Sequence, residues 1–204
     1  MAYQSDRFAH EQHFYAATLD DPAEYQPTLH VNWNEHLRWI ALDDGLPVQR
    51  TPRQFSAEED AGPVLTLIRE AFAYMDGVVD PPSSVHHLTA EGLAEQARRG
   101  EIWLLEDPGA PVGSIFLTPK PGRLYIGKLA VAQAQRGQGL GRQLLELAET
   151  RARALGHAMI ELESRVELVT NHAVFARFGY LKTAETSHPG YDRATSFTFQ
   201  KRLG

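Results

Sequence analysis

Apolar residues recur at helical spacing in four segments of the chain, and each segment carries its own start or stop signal. The first helix is predicted to begin at a Ser56 cap followed by acidic residues. A second is expected between a Thr89 cap and Gly100, where glycine ends the pattern. The helices are predicted over residues 56–76, 89–100, 139–155 and 171–178.

Strand-like apolar runs fill the spaces between these helices. The first three runs are separated by the turn sequences DPGA and PKPG, which favour an antiparallel meander. Strands are predicted over residues 101–106, 111–118, 123–131, 158–164, 180–185 and 195–201. The element order therefore predicts a mixed α/β fold, and no internal repeat is present.

The first fifty residues differ from the rest of the chain. They are rich in His, Asp, Pro and Trp, and their only regular apolar pattern is a strand-like stretch over residues 13–19. The following run GLPVQRTP has the glycine and prolines of a linker. We therefore predict an N-terminal extension over residues 1–50 and a main domain over residues 51–204.

Composition narrows the function classes. An apolar fraction of 43% predicts a folded globular protein, and the absence of cysteine excludes disulfides, a thiolate nucleophile and thiolate metal ligands. A net charge of −6 argues against nucleic-acid binding, which needs a basic surface. No apolar run has the length of a membrane span, and charged residues interrupt the first twenty positions. A cytoplasmic protein with no membrane partner is expected.

The strongest chemical signal is the turn RGQGLG over residues 136–141, which opens the third helix just after a strand. Glycines let an anion approach the free N–H groups at a helix start, so the turn can hold a pyrophosphate. Its glycine spacing differs from that of a dinucleotide-binding fingerprint, and Arg142 and Gln143 replace the Lys and Ser/Thr of a nucleotide triphosphate loop. A structural turn that only tightens a strand–helix joint remains the alternative.

The pattern Arg-x-x-Gly-x-Gly, preceded by Leu-Ala-Val, resembles the coenzyme A signature of the GNAT family of N-acetyltransferases. The resemblance implies the GNAT fold, a mostly antiparallel mixed sheet flanked by helices, with acetyl-CoA as acetyl donor. By resemblance, the backbone of Leu129 and Val131 would pair with the pantetheine arm. The implied coenzyme-binding residues are Leu129, Ala130, Val131, Arg136, Gly137, Gln138, Gly139, Leu140, Gly141, Arg142, Asn171 and Phe175.

A second segment, RVELVTNHAVFARFGY, resembles the closing motif of the same family. Asn171 is expected to cap the fourth helix and to contact the coenzyme arm. Many members carry a Tyr four residues after this Asn to protonate the leaving thiolate, but this chain has Phe175. A phenyl ring cannot donate a proton, so the general acid must be another group or solvent.

The acceptor amine must lose a proton before it attacks, and few residues are candidates for the base that removes it. Glu161 and Glu163 lie on one face of the predicted strand, where either is a candidate base or substrate anchor. The alternative is that they are solvated strand residues or pair with Arg165. His188 and Tyr191, in a loop between the last strands, are candidates to replace the missing acid.

The acceptor itself is expected to be a small-molecule or peptide amine. By resemblance to the family, Tyr74, Met75 and Asp76 belong to the acceptor-binding loop. The histidine pairs His10/His13 and His86/His87 lack neighbouring carboxylates at metal-ligand spacing, so no metal is assigned.

The extension is similar to the C-terminal tail of the glutathione-dependent formaldehyde-activating (GFA) family, through pieces such as LDDP and DGLP. The zinc-binding cysteines of that family are absent, so no activity is transferred. Tyr25, Trp33 and Trp39 are predicted to dock the extension on the main domain or on a second subunit, which would form a homodimer.

Two functions follow from these residues. The first is an acetyl-CoA-dependent N-acetyltransferase in which the amine attacks the thioester directly. The second, motivated by Phe175, is an acetyl-CoA-binding sensor or assembly module with weak or no catalysis.

Overall fold

The computed structural model describes residues 50–108 and 110–204, together with two short paired strands near the N-terminus, β1 (Ala2–Tyr3) and β2 (His13–Phe14). Strand β2 falls at the start of the predicted strand-like stretch. The predicted aromatic anchors Tyr25, Trp33 and Trp39 lie outside the described residues.

The described part of the main domain contains four α-helices and eight strands. The helices are α1 (Gly62–Phe72), α2 (Ala90–Arg99), α3 (Leu140–Ala154) and α4 (Val169–Arg177). The strands are β3 (Arg53–Gln54), β4 (Glu101–Asp107), β5 (Ala110–Lys120), β6 (Arg123–Ile126), β7 (Ala130–Val131), β8 (Met159–Arg165), β9 (Leu181–Thr186) and β10 (Ser196–Arg202).

One sheet organises the domain in the order β3-β4-β5-β6-β8-β10-β9, with β7 pairing against β5. All its pairings are antiparallel except that of β6 with β8. The antiparallel meander is confirmed for β4, β5 and β6, and the mixed α/β fold with a mostly antiparallel sheet is confirmed as a whole.

Each face of the sheet has its own hydrophobic core. The apolar face of α1 is buried with Leu93 of α2 against Ile102, Leu104 and Phe116. On the opposite face, α3 buries residues four apart, including Leu140, Leu144 and Ala148, over the centre of the sheet. The helical face predicted for this segment is therefore confirmed.

The predicted start of the first helix is wrong. Helix α1 begins at Gly62, six residues after Ser56, and the Ser56 side chain caps no helix. Pro63 explains the difference, because its ring would clash with the carbonyl four residues earlier in a longer helix but fits the first turn. Instead, Oδ1 of Asp60 accepts a hydrogen bond of 2.9 Å from the Gly62 amide.

The other predicted helix caps and helix ends are confirmed, with one exception. Oγ1 of Thr89 accepts from the Gly92 amide, which confirms this cap, and Gly156 and Gly179 have positive φ where α3 and α4 end. Asn171 is not a cap, because α4 begins two residues earlier and the Asn171 amide donates within the first turn to Leu168. The predicted strand 123–131 is also divided, into β6 and β7.

Candidate active site

The division of that strand creates the cleft on which the site depends. Ile126 lies opposite Leu117 in β5 and Ala130 lies opposite Ser114, so three residues on one strand face two on the other. This extra residue is a β-bulge, which bends a strand away from its neighbour. Pairing of β6 with β8 stops at Ile126, and the two strands splay apart beyond it.

A cleft of about 1000 Å³ opens at this splay. One arm contributes residues 127–131, and the opposite arm contributes the end of β8. The end of α1 and the start of α4 close its sides. Among the lining residues are Tyr74, Met75, Lys128, Glu163, Arg165 and Phe175.

The bulged arm offers free backbone groups to this cleft. Within residues 50–108 and 110–204, the amides of Lys128 and Leu129 donate no hydrogen bond. The predicted coenzyme residues Leu129, Ala130 and Val131 all line the cleft. An extended amide-bearing ligand can therefore pair with this arm as an additional strand would.

The glycine-rich turn lies at the start of α3, as predicted. Gly137 and Gly139 have φ of 84° and 83°, which favours glycine at both positions. A Cβ on Gly137, Gly139 or Gly141 would meet no protein atom within 4 Å, so open space borders the backbone here. No side chain caps α3 and no acid lies in its first turn. The turn thus fits a phosphate-bearing ligand.

Three other residues predicted to bind the coenzyme differ in exposure and lie outside the cleft lining. Leu140 is 1% exposed, so only its backbone is available to a ligand. Arg142 is exposed and pairs with Glu146 at 2.8 Å on the same helix, while Gln138 is exposed. None of these three lines the cleft itself.

A buried ionic contact fixes the base of the turn. Arg50 is 2% exposed, and its Nε donates to Asp107 Oδ1 at 2.6 Å. Nη2 of Arg50 also donates to Gln135, next to the turn, and Gln143 in α3 donates to the Arg50 carbonyl. Sequence analysis missed this contact, and it placed Arg50 at the end of the extension although the side chain packs within the main domain.

Arg136 and Asn171 link the coenzyme side of the cleft to the predicted acceptor loop. The Arg136 guanidinium donates to the Ala71 carbonyl at 3.0 Å and lies 5.6 Å from the Tyr74 ring centroid. Asn171 Nδ2 donates to the Tyr74 hydroxyl at 3.1 Å. Tyr74 and Met75 line the cleft; Asp76 instead contacts His86 at 2.8 Å outside it.

Phe175, at the position where the sequence resemblance would place an acidic tyrosine, lines the cleft. Its ring packs 6.2 Å from Tyr180 and 5.9 Å from Phe199, centroid to centroid. The Tyr180 hydroxyl does not replace the missing acid, because it is buried outside the cleft lining. Burial raises the pKa of Tyr180 well above its usual value.

The two candidate bases have different surroundings. Glu163 is exposed, lines the cleft and has no hydrogen-bond or ionic partner among the described residues. Glu161 lies outside the lining, within 2.9 Å of both Gln200 and Arg123. Burial opposes ionisation of Glu161, but these two contacts hold its pKa below the usual value. The predicted alternative partner, Arg165, does not contact either carboxylate.

The two candidate acids also differ. His188 lines the cleft, and its Nδ1 lies 2.6 Å from Thr195 Oγ1. Tyr191 lies outside the lining and donates to Asp80 at 2.6 Å, a hydrogen bond that raises the tyrosine pKa and makes it a weaker acid. His188 is therefore the better placed of the two.

Sequence analysis did not assign several cleft residues to the site, among them Tyr125, Lys128 and Arg165. Burial, followed by the charges of Glu163 and Glu161, raises the pKa of Tyr125 to about 12. A usable signal existed for two of them, since Tyr125 and Arg165 share the sheet face of Glu163 by strand alternation. Lys128 had no such signal, because its position depends on the bulge.

Splayed strands beside an open, glycine-rich helix start define an acetyltransferase fold. The chain belongs to the acetyltransferase (GNAT) family, whose model matches residues 66–180. The IAA acetyltransferase of Azospirillum brasilense is 30% identical over 117 residues, which is 57% of this chain and 76% of that protein.

Solved structures share the same fold. PaiA N-acetyltransferase from Thermoplasma acidophilum, in complex with coenzyme A, has a TM-score of 0.65 at 16% identity and covers 76% of this chain and 99% of its own. A GNAT family acetyltransferase from Elizabethkingia anophelis with acetyl-CoA bound has a TM-score of 0.55 at 16% identity, covering 75% and 97%.

Two further observations concern the described residues only. They include no helix long and apolar enough to cross a membrane. They also include no cluster of three or more His, Cys, Asp or Glu side chains that could hold a metal ion.

Proposed function

We propose that this chain transfers the acetyl group of acetyl-CoA to a primary amine by direct attack of the amine on the thioester. The observation that carries the proposal is the free backbone of residues 128–129 in the cleft, together with a glycine-rich turn that is open to solvent and whose first residue, Arg136, also lines the cleft. Family membership supports the same donor chemistry.

The residues that would hold the donor act mainly through their backbone. Leu129 and Val131 would pair with the pantetheine amides, while the open amides at the start of α3 would bind the pyrophosphate. Phe175 would give an apolar wall to the thioester end of the cleft. The chemistry that acetyl-CoA supplies is an activated acetyl group with a good leaving thiolate.

The Glu163 carboxylate is our candidate for the base that takes the proton from the acceptor ammonium. It lines the cleft and pairs with no cation in the described residues, so it is available to accept that proton directly or through water. The chain contains no cysteine, which removes the thiolate route to an acetyl-enzyme and favours direct attack.

His188 is our candidate to return a proton to the coenzyme A thiolate. Its Nδ1 is engaged with Thr195, whereas its Nε2 has no partner in the described part of the chain. This assistance is modest in any case, because a thiol pKa near the cysteine value of roughly 8.5 makes the thiolate a tolerable leaving group.

Thiol release from acetyl-CoA in the presence of an amine panel tests the proposal. Direct attack predicts initial-rate lines that intersect when both substrates are varied, whereas parallel lines would contradict it. Glu163→Gln is expected to lower kcat by about 100-fold or more without weakening acetyl-CoA binding. Glu185→Gln, on β9 outside the cleft, is the matched control and should retain wild-type turnover.

Phe175 supports a second candidate, the acetyl-CoA-binding sensor. No hydroxyl is available at the position that usually supplies the acid. Both candidates predict acetyl-CoA binding and thermal stabilisation by it. Binding without thiol release across the amine panel would favour the sensor, and loss of binding would contradict both.

A further inference from the structure

Two cationic side chains that line the cleft have hydrogen-bonding capacity that the described residues leave unused. Lys128 projects from the bulge of residues 127–129 and is half-buried. Its ammonium pairs with no carboxylate in the described residues. Burial lowers the pKa of Lys128, which is the effect expected of a cation without a counterion.

Arg165 lies on the opposite arm, at the end of β8, and is 9% exposed. Its Nε donates to the Thr195 carbonyl at 3.0 Å, but its Nη2 is buried with no partner. The neighbouring Ser164 Oγ is likewise buried and unpaired, and both residues line the cleft. Buried unpaired donors are costly and rare, so their presence at a cleft points to a ligand that satisfies them.

The two acidic residues of the cleft, Glu167 and Glu163, differ in their contacts. Glu167 is already engaged, since it accepts from the Asp80 amide at 3.3 Å and lies within 4.0 Å of Arg193. Those two contacts use Oε1; the other oxygen, Oε2, lies 3.9 Å from Arg165 Nε and is buried with no hydrogen-bond partner in the described residues. Glu163 has neither a hydrogen bond nor an ion pair among the described residues, so the cleft lining holds one free carboxylate and two cations with unmet donors.

We infer that the acceptor is a free amino acid, whose carboxylate binds Lys128 and Arg165 while its amine lies at Glu163. This inference rests on the proposed acetyltransferase function and names its substrate class. Glu163 and Arg165 are two residues apart on one face of β8, about 6.6 Å along the strand, a separation that suits a short amine–carboxylate spacing. A lysine side chain within a protein, or an N-terminal residue other than Asp or Glu, has no carboxylate attached at that distance from its amine.

Paired substrates test the inference. Each amino acid in a panel of α-, β- and ω-amino acids is compared with its carboxamide and its decarboxylated amine by thiol release. The amine of the carboxamide is less basic than the amine of the free amino acid and loses its proton more readily, so amine basicity alone would favour the carboxamide. A preference for the free acid therefore reports binding of its carboxylate. We expect kcat/KM to favour the best amino acid over its carboxamide by at least tenfold.

The variant Lys128→Met is expected to lower this acid-to-carboxamide ratio about tenfold, chiefly through a higher KM for the acid. Lys182→Met on β9, outside the cleft, is the matched control and should leave the ratio unchanged. The KM for acetyl-CoA reports whether the donor site is intact.

Three results would overturn the inference. Carboxamides or polyamines could be the best acceptors, or the ratio could be the same in wild type and Lys128→Met; in both cases acetyl transfer itself would stand. If no amine releases thiol, the proposed function fails and the inference fails with it.

Discussion

The contact between Arg50 and Asp107 should respond asymmetrically to the loss of either partner. Arg50 is 2% exposed and Asp107 is 23% exposed, so the arginine is the deeper charge. Asp107→Asn leaves a buried guanidinium uncompensated, whereas Arg50→Met leaves a carboxylate that water can reach. Removing the acid should therefore destabilise the protein more than removing the base.

The magnitudes follow from these exposures. Stranding a buried charge costs about 3 kcal/mol at the lower end of the usual range, which applies because Gln135 still accepts from Arg50 at 3.3 Å. Leaving Asp107 without the arginine costs about 1.5 kcal/mol, since Gln135 also donates to this carboxylate at 3.1 Å. For a chain of this length, the Asp107→Asn loss corresponds to a melting temperature lower by roughly 6–12 °C.

A nearby pair provides the control. Arg53 and Glu106 form the same kind of two-bond contact at 2.8 and 2.9 Å, but their side chains are 43% and 30% exposed. Arg53→Met and Glu106→Gln should each cost less than about 1 kcal/mol. Urea unfolding at neutral pH, with unchanged m values as the check on two-state behaviour, measures all four variants.

Equal losses for Asp107→Asn and Arg50→Met would refute the argument from burial depth. So would a Glu106→Gln loss as large as that of Asp107→Asn. Because Gln135 and Gln143 flank the glycine-rich turn, Asp107→Asn should also weaken acetyl-CoA binding in isothermal titration calorimetry. The Glu106→Gln variant should bind acetyl-CoA as the wild type does.

Three further predictions concern single sites. Gly139 and Gly156 both have positive φ and open space around them, so replacing either with Ala should lower the free energy of unfolding by about 1–2 kcal/mol. Only Gly139→Ala should also weaken acetyl-CoA binding, measured by calorimetry. Hydrogen bonds from Arg151 lower the pKa of Glu101 in the folded protein. This carboxylate therefore stabilises the fold fully above the unfolded pKa of about 4.3, and the stabilisation is lost as the pH falls through the folded pKa. In Glu101→Gln, the free energy of unfolding measured in urea should decrease less steeply as the pH is lowered. His188→Ala should lower kcat tenfold or more with unchanged acetyl-CoA affinity, measured by thiol release and calorimetry.

Each of these predictions has a contradicting result. Equal loss of acetyl-CoA affinity in Gly139→Ala and Gly156→Ala would show a general stability effect instead of a local one. A parallel acid decline in wild type and Glu101→Gln would mean that other carboxylates dominate. Wild-type turnover in His188→Ala would leave solvent as the source of the proton.

The geometry of the glycine-rich turn was predictable because it depends on local backbone chemistry. The glycines at 137, 139 and 141 and the start of α3 are set by a contiguous run of sequence, and the structure has them as expected. The strand and helix order was also predictable, since periodicity is local. The start of α1 was missed because Pro63 was given less weight than the acids around Ser56.

Other features depended on contacts that no local pattern encodes. The bulge at residues 127–129 arises from the register of β6 and β7 against β5, and it determines where Lys128 projects. The Asn171 side chain reaches Tyr74, ninety-seven residues earlier in the chain, instead of capping its own helix. Whether a charged residue is paired or free depends on neighbours of this kind.

Long-range contacts also connect the loops beside the cleft that would determine acceptor specificity. Asp80, in the loop after α1, accepts from Tyr191 at 2.6 Å and from Arg193 at 2.7 Å, which joins two distant loops beside the cleft. These contacts involve none of the backbone groups that would bind the donor. Under the proposed function, substitutions in these two loops are expected to change the preference among acceptors more than the affinity for acetyl-CoA, because the glycine-rich turn takes no part in the Asp80 contacts.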